Sequence, residues 1–164
     1  MTARGVLFAI TGKDLAALEA LDDADAVVEY IVEVIEERWE AGFVFELDKA
    51  WDTRHRCFAD GSLEQNAGAF PLNATVLGRE TLDAGPDYFV GLTRASDVPV
   101  VAVALRDIDD RWIADAYRTN LPLDDAPGNG AEDLQYTVEC FDGLSAFWRT
   151  AAESGRSVLF TVDQ

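Results

Sequence analysis

Two short runs decide the architecture. They are Arg4-Gly5-Val6-Leu7-Phe8-Ala9-Ile10 near the start and Ser157-Val158-Leu159-Phe160-Thr161-Val162 near the end. Both are rich in apolar and β-branched residues with no helical spacing of polar positions, so both read as strands. Between them the helical period prevails. Helices outnumber strands, and strand candidates stand at both ends. The pattern predicts an α+β fold, one helix-rich domain over 1–164 with a small mixed sheet joining the two ends.

Working outward from the first strand, Thr11 offers an N-cap and Asp14 stands at the third helical position, a shortened capping box for a helix over 13–21. The next helix, over 25–41, carries Val27, Val28, Ile31, Val34, Ile35 and Trp39 at spacings of three and four, with Gly42 as its stop. Residues 43–47 form a brief strand-like run. Asp48 reads as the N-cap of a helix reaching Ala59. Residues 71–77 suggest a helix of one or two turns ending at Gly78, and 88–92 a strand. The stretch 93–106 is ambiguous: its valines favour a strand, yet Pro99 suits a first helical turn, and a helix is expected. Asp109 or Asp110 opens another helix to Tyr117. After an irregular segment over 120–130, a single long helix over 131–154 buries Leu134, Val138, Phe141, Leu144, Phe147, Trp148 and Ala151.

Composition bounds the function. The 164 residues are 49% hydrophobic and 27% charged, which suits a globular domain. Lys and Arg total 13 against 31 Asp and Glu, a net charge of −18. A nucleic-acid binder needs a cationic face, so DNA and RNA are poor partners. The longest apolar run, Val98 to Leu105, is too short to span a membrane, and no signal segment is visible. A cytoplasmic location is expected, with Cys57 and Cys140 as buried free thiols. The oligomeric state is not readable.

Three blocks resemble a known family. They are Glu46-Leu47-Asp48-Lys49-Ala50-Trp51-Asp52 with His55, then Pro71-Leu72 to Leu77-Gly78, and a closing block from Asp133-Leu134-Gln135-Tyr136 through Phe147 to Val158-Leu159-Phe160. Their order and spacing resemble the YfbM-like family, small bacterial proteins carried as a domain of unknown function. The resemblance implies an intracellular α+β domain. It implies no reaction, cofactor or catalytic residue.

Two constellations carry candidate chemistry. The first is Asp48, Asp52 and His55. On one helix these residues share a face, and His55 is the only histidine, so any histidine acid or base must be this one. The functional reading is a small enzyme, hydrolytic in type. The structural reading makes Asp48 a cap, Trp51 core and His55 a hydrogen-bonded core residue. Arg54 and Arg56 flank His55 as solvated or anion-binding residues. No zinc motif, no GxSxG and no phosphate loop is present, and the Gly128-Asn129-Gly130 stretch reads as a flexible turn. Neither a metal nor a cofactor is expected. The second constellation is the acidic side of the 25–41 helix, formed by Glu29, Glu33, Glu36, Glu37 and Glu40. It reads either as a solubilising face or as an electrostatic dock for a basic protein, in the manner of an inhibitor or immunity protein.

Overall fold

In the computed structural model, which describes residues 3–121, 131–139 and 141–163, the two end runs become neighbours. β1 (Gly5–Ile10) and β5 (Ser157–Asp163) pair antiparallel, with Leu7 opposite Phe160 and Ile10 opposite Ser157. β2 (Val44–Asp48) flanks β1. β4 (Tyr88–Thr93) flanks β5, and β3 (Glu80–Leu82) lies outside β4, giving the order β2-β1-β5-β4-β3. Every ladder is antiparallel, which corrects the expectation of a mixed sheet. The links β1–β2, β3–β4 and β4–β5 each leave and return at one end of the sheet, so no parallel pair arises.

Both faces of the sheet are covered. Leu7 and Ala9 of β1 point to one face with Val158, Phe160 and Val162 of β5, while Phe8, Ile10 and Leu159 point to the other. Side chains alternate across a strand, and burial on both faces turns the sequence into the continuous apolar runs noted above. On the second face lie α1 (Gly12–Glu19), α2 (Ala24–Tyr30) and the π-helical continuation of α2 (Ile31–Glu36), which bury Leu18, Val27, Ile31 and Ile35. On the first face lie α3 (Trp51–Phe58), a 3-10 turn at Leu72–Ala74, α4 (Val98–Leu105), α5 (Asp110–Asn120) and α7 (Asp142–Glu153). α6 (Ala131–Glu139) adds Leu134 to a satellite cluster with Cys57, Tyr117 and Leu121.

Local chemistry sets several boundaries. Asp14 N–H donates to Thr11 Oγ1 and Thr11 N–H donates to Asp14 Oδ2, both at 3.2 Å, closing the capping box that opens α1. Pro99 sits in the first turn of α4, where its missing N–H leaves no bond unmade. The ambiguity over 93–106 is thereby resolved as helix. Asp109 caps α5 by accepting from Trp112 N at 2.8 Å. In β4, Gly91 admits the Leu77 carbonyl, whose oxygen lies 2.0 Å from where a Cβ would stand.

Four expectations are corrected. Asp48 does not cap a helix: it ends β2 at φ +48°, and α3 starts only at Trp51. The 25–41 helix is not uniform. α2 passes into a π-helical segment, Ile31–Glu36, and the chain leaves the helix at Trp39 with φ +37°. The wider π turn breaks the α phase, so Val34 and Trp39 are exposed instead of buried. The 71–77 helix shrinks to the 3-10 turn. The long 131–154 helix is two, α6 and α7, broken around Phe141. There Phe141 N–H donates to Val138 O (3.0 Å) and Leu144 N–H to Phe141 O (2.9 Å), both tighter i to i+3 bonds. The Phe45 ring also presses on Gly143, 2.5 Å from the place of a Cβ. Cys140 and the Gly128-Asn129-Gly130 turn lie outside the described residues.

Candidate functional site

The structure separates the first constellation. His55 lies in α3 and is fully buried. Its Nε2–H donates to the Glu64 carbonyl at 2.8 Å, which ties the loop after α3 back onto the helix. Nδ1 is buried and, among the described residues, accepts from nothing. Burial holds the imidazole below its ordinary 6.5, against smaller upward pulls from the Glu64 carbonyl and the Asp52 and Asp60 carboxylates. A second ring proton would also stand at Nδ1 with no acceptor. His55 is therefore a neutral core residue at pH 7.

The two candidate carboxylates turn elsewhere. Asp52 accepts from Arg56 Nε one helical turn on, and Arg56 also donates to the Gly61 carbonyl at 3.1 Å. Asp48, displaced onto the strand, pairs with Arg4 Nε at 3.3 Å and accepts from the Tyr136 hydroxyl at 3.1 Å. Trp51 Nε1 donates to the Ala3 carbonyl at 3.0 Å and its ring packs on Phe160. Arg54, read from the sequence as solvated or anion-binding, is not solvated but buried to 1% exposure. A cleft of about 400 Å³ beside α3 is lined by Cys57, Phe58, Trp112 and Asn120 but not by His55. Cys57 is itself buried.

The second constellation survives in altered form. Glu29, Glu33 and Glu37 are exposed at four-residue spacing along α2 and its π extension. Asp25 extends the row by one further turn. The other two glutamates are committed inside the molecule. Glu36 accepts from the Tyr88 hydroxyl at 3.2 Å. Glu40 lies 3.6 Å from Arg38 Nε and 3.5 Å from Arg156 Nη2. Like charges four apart on a helix repel. The one basic residue at the end of this element, Arg38, is turned inward to Asp14 Oδ2 at 2.8 Å.

One part of this region was not legible in the sequence. The loop from β3 to β4 folds against α2, and Ala84, Pro86, Asp87 and Tyr88 form the far wall of a groove of about 470 Å³ whose near wall is Val28, Glu29, Val32 and Glu33. Burial pushes the Tyr88 phenol up to about 12, so this wall is uncharged at Tyr88. No signal in the sequence joined 84–88 to 25–33, because β3 is three residues long and has no periodicity to read. Among the described residues no cluster of His, Cys, Asp or Glu is arranged to hold a metal ion. Nor, among them, is any helix long and apolar enough to cross a membrane.

An antiparallel five-stranded sheet covered by helices on both faces, with an acidic helix outermost on one of them, describes a class of small α+β domains. A family model for a domain of unknown function, DUF1877, matches residues 1–161, and the chain belongs to that family. Among solved structures it is similar to YfbM from Escherichia coli, described as a protein of unknown function. The TM-score is 0.65 at 18% identity, over 97% of this chain and 99% of that one. At that identity the likeness carries the fold alone. No curated protein matches the chain.

Proposed function

We propose that this chain is a non-catalytic acidic interaction module, inhibitor- or immunity-like, that captures a basic protein in the cytoplasm and acts as one domain over 1–164. The observation that carries the reading is the row Asp25, Glu29, Glu33 and Glu37. Among the described residues none of these carboxylates has a cation within 4 Å. Their mutual repulsion costs the free protein stability and is relieved when a cationic surface docks. Each exposed pair formed is worth only about 0–1 kcal/mol, so the row acts chiefly on the association rate. The alternative, a small hydrolytic enzyme built on His55 and Asp52, has weaker support: the imidazole is buried and the carboxylate is paired with Arg56.

The test is capture from a bacterial lysate on immobilised protein at low and high salt, beside the variant Glu29→Gln/Glu33→Gln/Glu37→Gln. Wild type should retain strongly basic proteins at low salt and release them at high salt. For a partner so found, the triple variant should associate several-fold more slowly at low salt. An unchanged capture pattern and rate in the variant would reduce the row to a solubilising face.

A further inference from the structure

We infer that the groove between α2 and the β3–β4 loop seats an arginine side chain presented by a segment of the basic partner. This rests on the docking reading above and gives it an address. The groove has an apolar floor and an acidic rim. Val28 and Val32 lie one turn apart on its α2 side, with Pro86 and Tyr88 opposite. Val32 is 41% exposed, one residue into the π-helical segment and off the buried Val27, Ile31 and Ile35 stripe. On the rim stand Asp25, Glu29 and Glu33 from the helix and Asp87 from the loop, with no basic residue among the lining. Among the described residues, none of the four carboxylates is within ion-pair distance of any Arg or Lys.

The far wall is fixed in place. Gly85 turns the loop at φ +81°, a conformation that favours glycine, and Asp83 Oδ1 accepts from Gly85 N at 3.1 Å. The Tyr88 hydroxyl donates to Glu36, which anchors the ring against the helix. The groove therefore offers a preformed surface with two demands. Its occupant must be cationic at the head to meet the rim, and apolar in the stem to cover the valines. Arginine and lysine both have such stems. Arginine fits better, because its planar fork bonds two carboxylate oxygens at once and its flat face stacks on an aromatic ring. The acidic row continues to Glu37, beyond the groove, so the cation arrives on a longer basic segment and not as a free small molecule.

The probe is a capped nonapeptide with a central arginine among lysines and alanines. Two control peptides replace that arginine with lysine or with glutamine. Each is titrated at low salt into the isotopically labelled protein and followed by amide NMR. Shifts should centre on Val28, Val32, Gly85 and Tyr88. The lysine peptide should bind several-fold more weakly and the glutamine peptide weaker still. Val32→Trp, which fills the groove without altering charge, should weaken the arginine peptide about ten-fold. Glu153→Gln, exposed on α7 across the sheet from the groove, should change it by no more than about two-fold. Circular dichroism verifies the fold of Val32→Trp, and the wild-type shift map stands independently of any variant. Shifts spread toward Glu37 and Glu40, with equal binding of the arginine and lysine peptides and no effect of Val32→Trp, would overturn the groove and leave the acidic dock standing. No binding of any basic peptide at low salt would overturn both. Spermine displacing the arginine peptide from the same amides with equal or greater affinity, or self-association through them, would replace the proposed occupant.

Discussion

The two helical layers on either side of the sheet are built differently. The α3–α7 layer is thick and aromatic. It buries Trp148, Phe141, Phe147 and Phe58 in one cluster with the sheet, and Phe58 stacks on Trp112 at 5.7 Å. The α1–α2 layer is one helix deep. Its buried side chains against Phe8 are aliphatic, and its outer side faces water with a row of carboxylates. A thick layer spends its helix surface on the core, whereas a thin one leaves half of each helix facing water. The histidine block of the sequence falls in the thick layer, where His55 is buried. The groove falls in the thin one.

That contrast can be broken at the core first. Trp148→Ala should cost about 3–5 kcal/mol in urea unfolding, since the side chain is fully buried. Ile31→Val, the matching probe in the thin layer, should cost about 0.5–1.5 kcal/mol. A Trp148→Ala protein that unfolds at the wild-type urea midpoint would show that the aromatic layer is not packed as described. Next comes the sheet between them. Gly91→Ala should cost about 1–3 kcal/mol by overpacking, because the Leu77 carbonyl occupies the place of the new methyl. A melt unchanged from wild type would mean that the backbone there yields freely.

Acid should separate the layers by pH. In the thick layer, burial lowers the His55 pKa below 6.5, so the folded state excludes a proton that the unfolded state accepts. Its stabilisation is whole above pH 6.5 and is lost as pH falls from there toward the folded value. In the thin layer, burial alone would raise Asp14. Hydrogen bonds from Arg38, Tyr30 and Thr11 outweigh it and hold the carboxyl below 3.8. That contribution is whole above pH 3.8 and fails only as pH drops below it. Urea midpoints for His55→Gln should therefore flatten between pH 7 and 5, and those for Asp14→Asn below pH 4. Parallel curves for wild type and both variants would remove the assignment. The smallest effect is on the acidic row. Glu29→Gln/Glu33→Gln/Glu37→Gln should stabilise the protein by about 0.5–1 kcal/mol, by relieving like charges four apart. A loss of stability would show that the row has partners within the molecule.

Much of this was readable from residues. The end strands declared themselves because they are buried on both faces, and Thr11 with Asp14 announced α1 by a bond pattern confined to four residues. Over 93–106 the residues left strand and helix both open, since the valines favour a strand and Pro99 merely permits a first helical turn; packing decides for α4. What was hidden depends on contacts distant in the chain. A π-helical turn leaves the same i, i+4 spacing on paper, yet Val34 and Trp39 end partly exposed, with the Trp39 ring edge-on to Phe8. The break at Phe141 brings Gly143 under the Phe45 ring of β2, a neighbour almost a hundred residues away in the chain. Asp48 looked like a cap because aspartate before an apolar helix usually is one, but β2 claims it first. The groove needed β3 to be placed before Tyr88 could meet Glu36.

The position of β5 has a consequence for the chain's manufacture. It is the last strand in chain order, yet it stands between β1 and β4 and joins the β1–β2 pair to the β3–β4 pair. Until Ser157–Asp163 has emerged from the ribosome, the nascent chain holds two half-sheets with no seam between them, and Val6 waits for Thr161 across nearly the full length. Contacts of such sequence separation form slowly. The seam therefore closes only when β5 is free to pair, and a chain lacking Ser157–Asp163 should be cut by protease faster than the whole one.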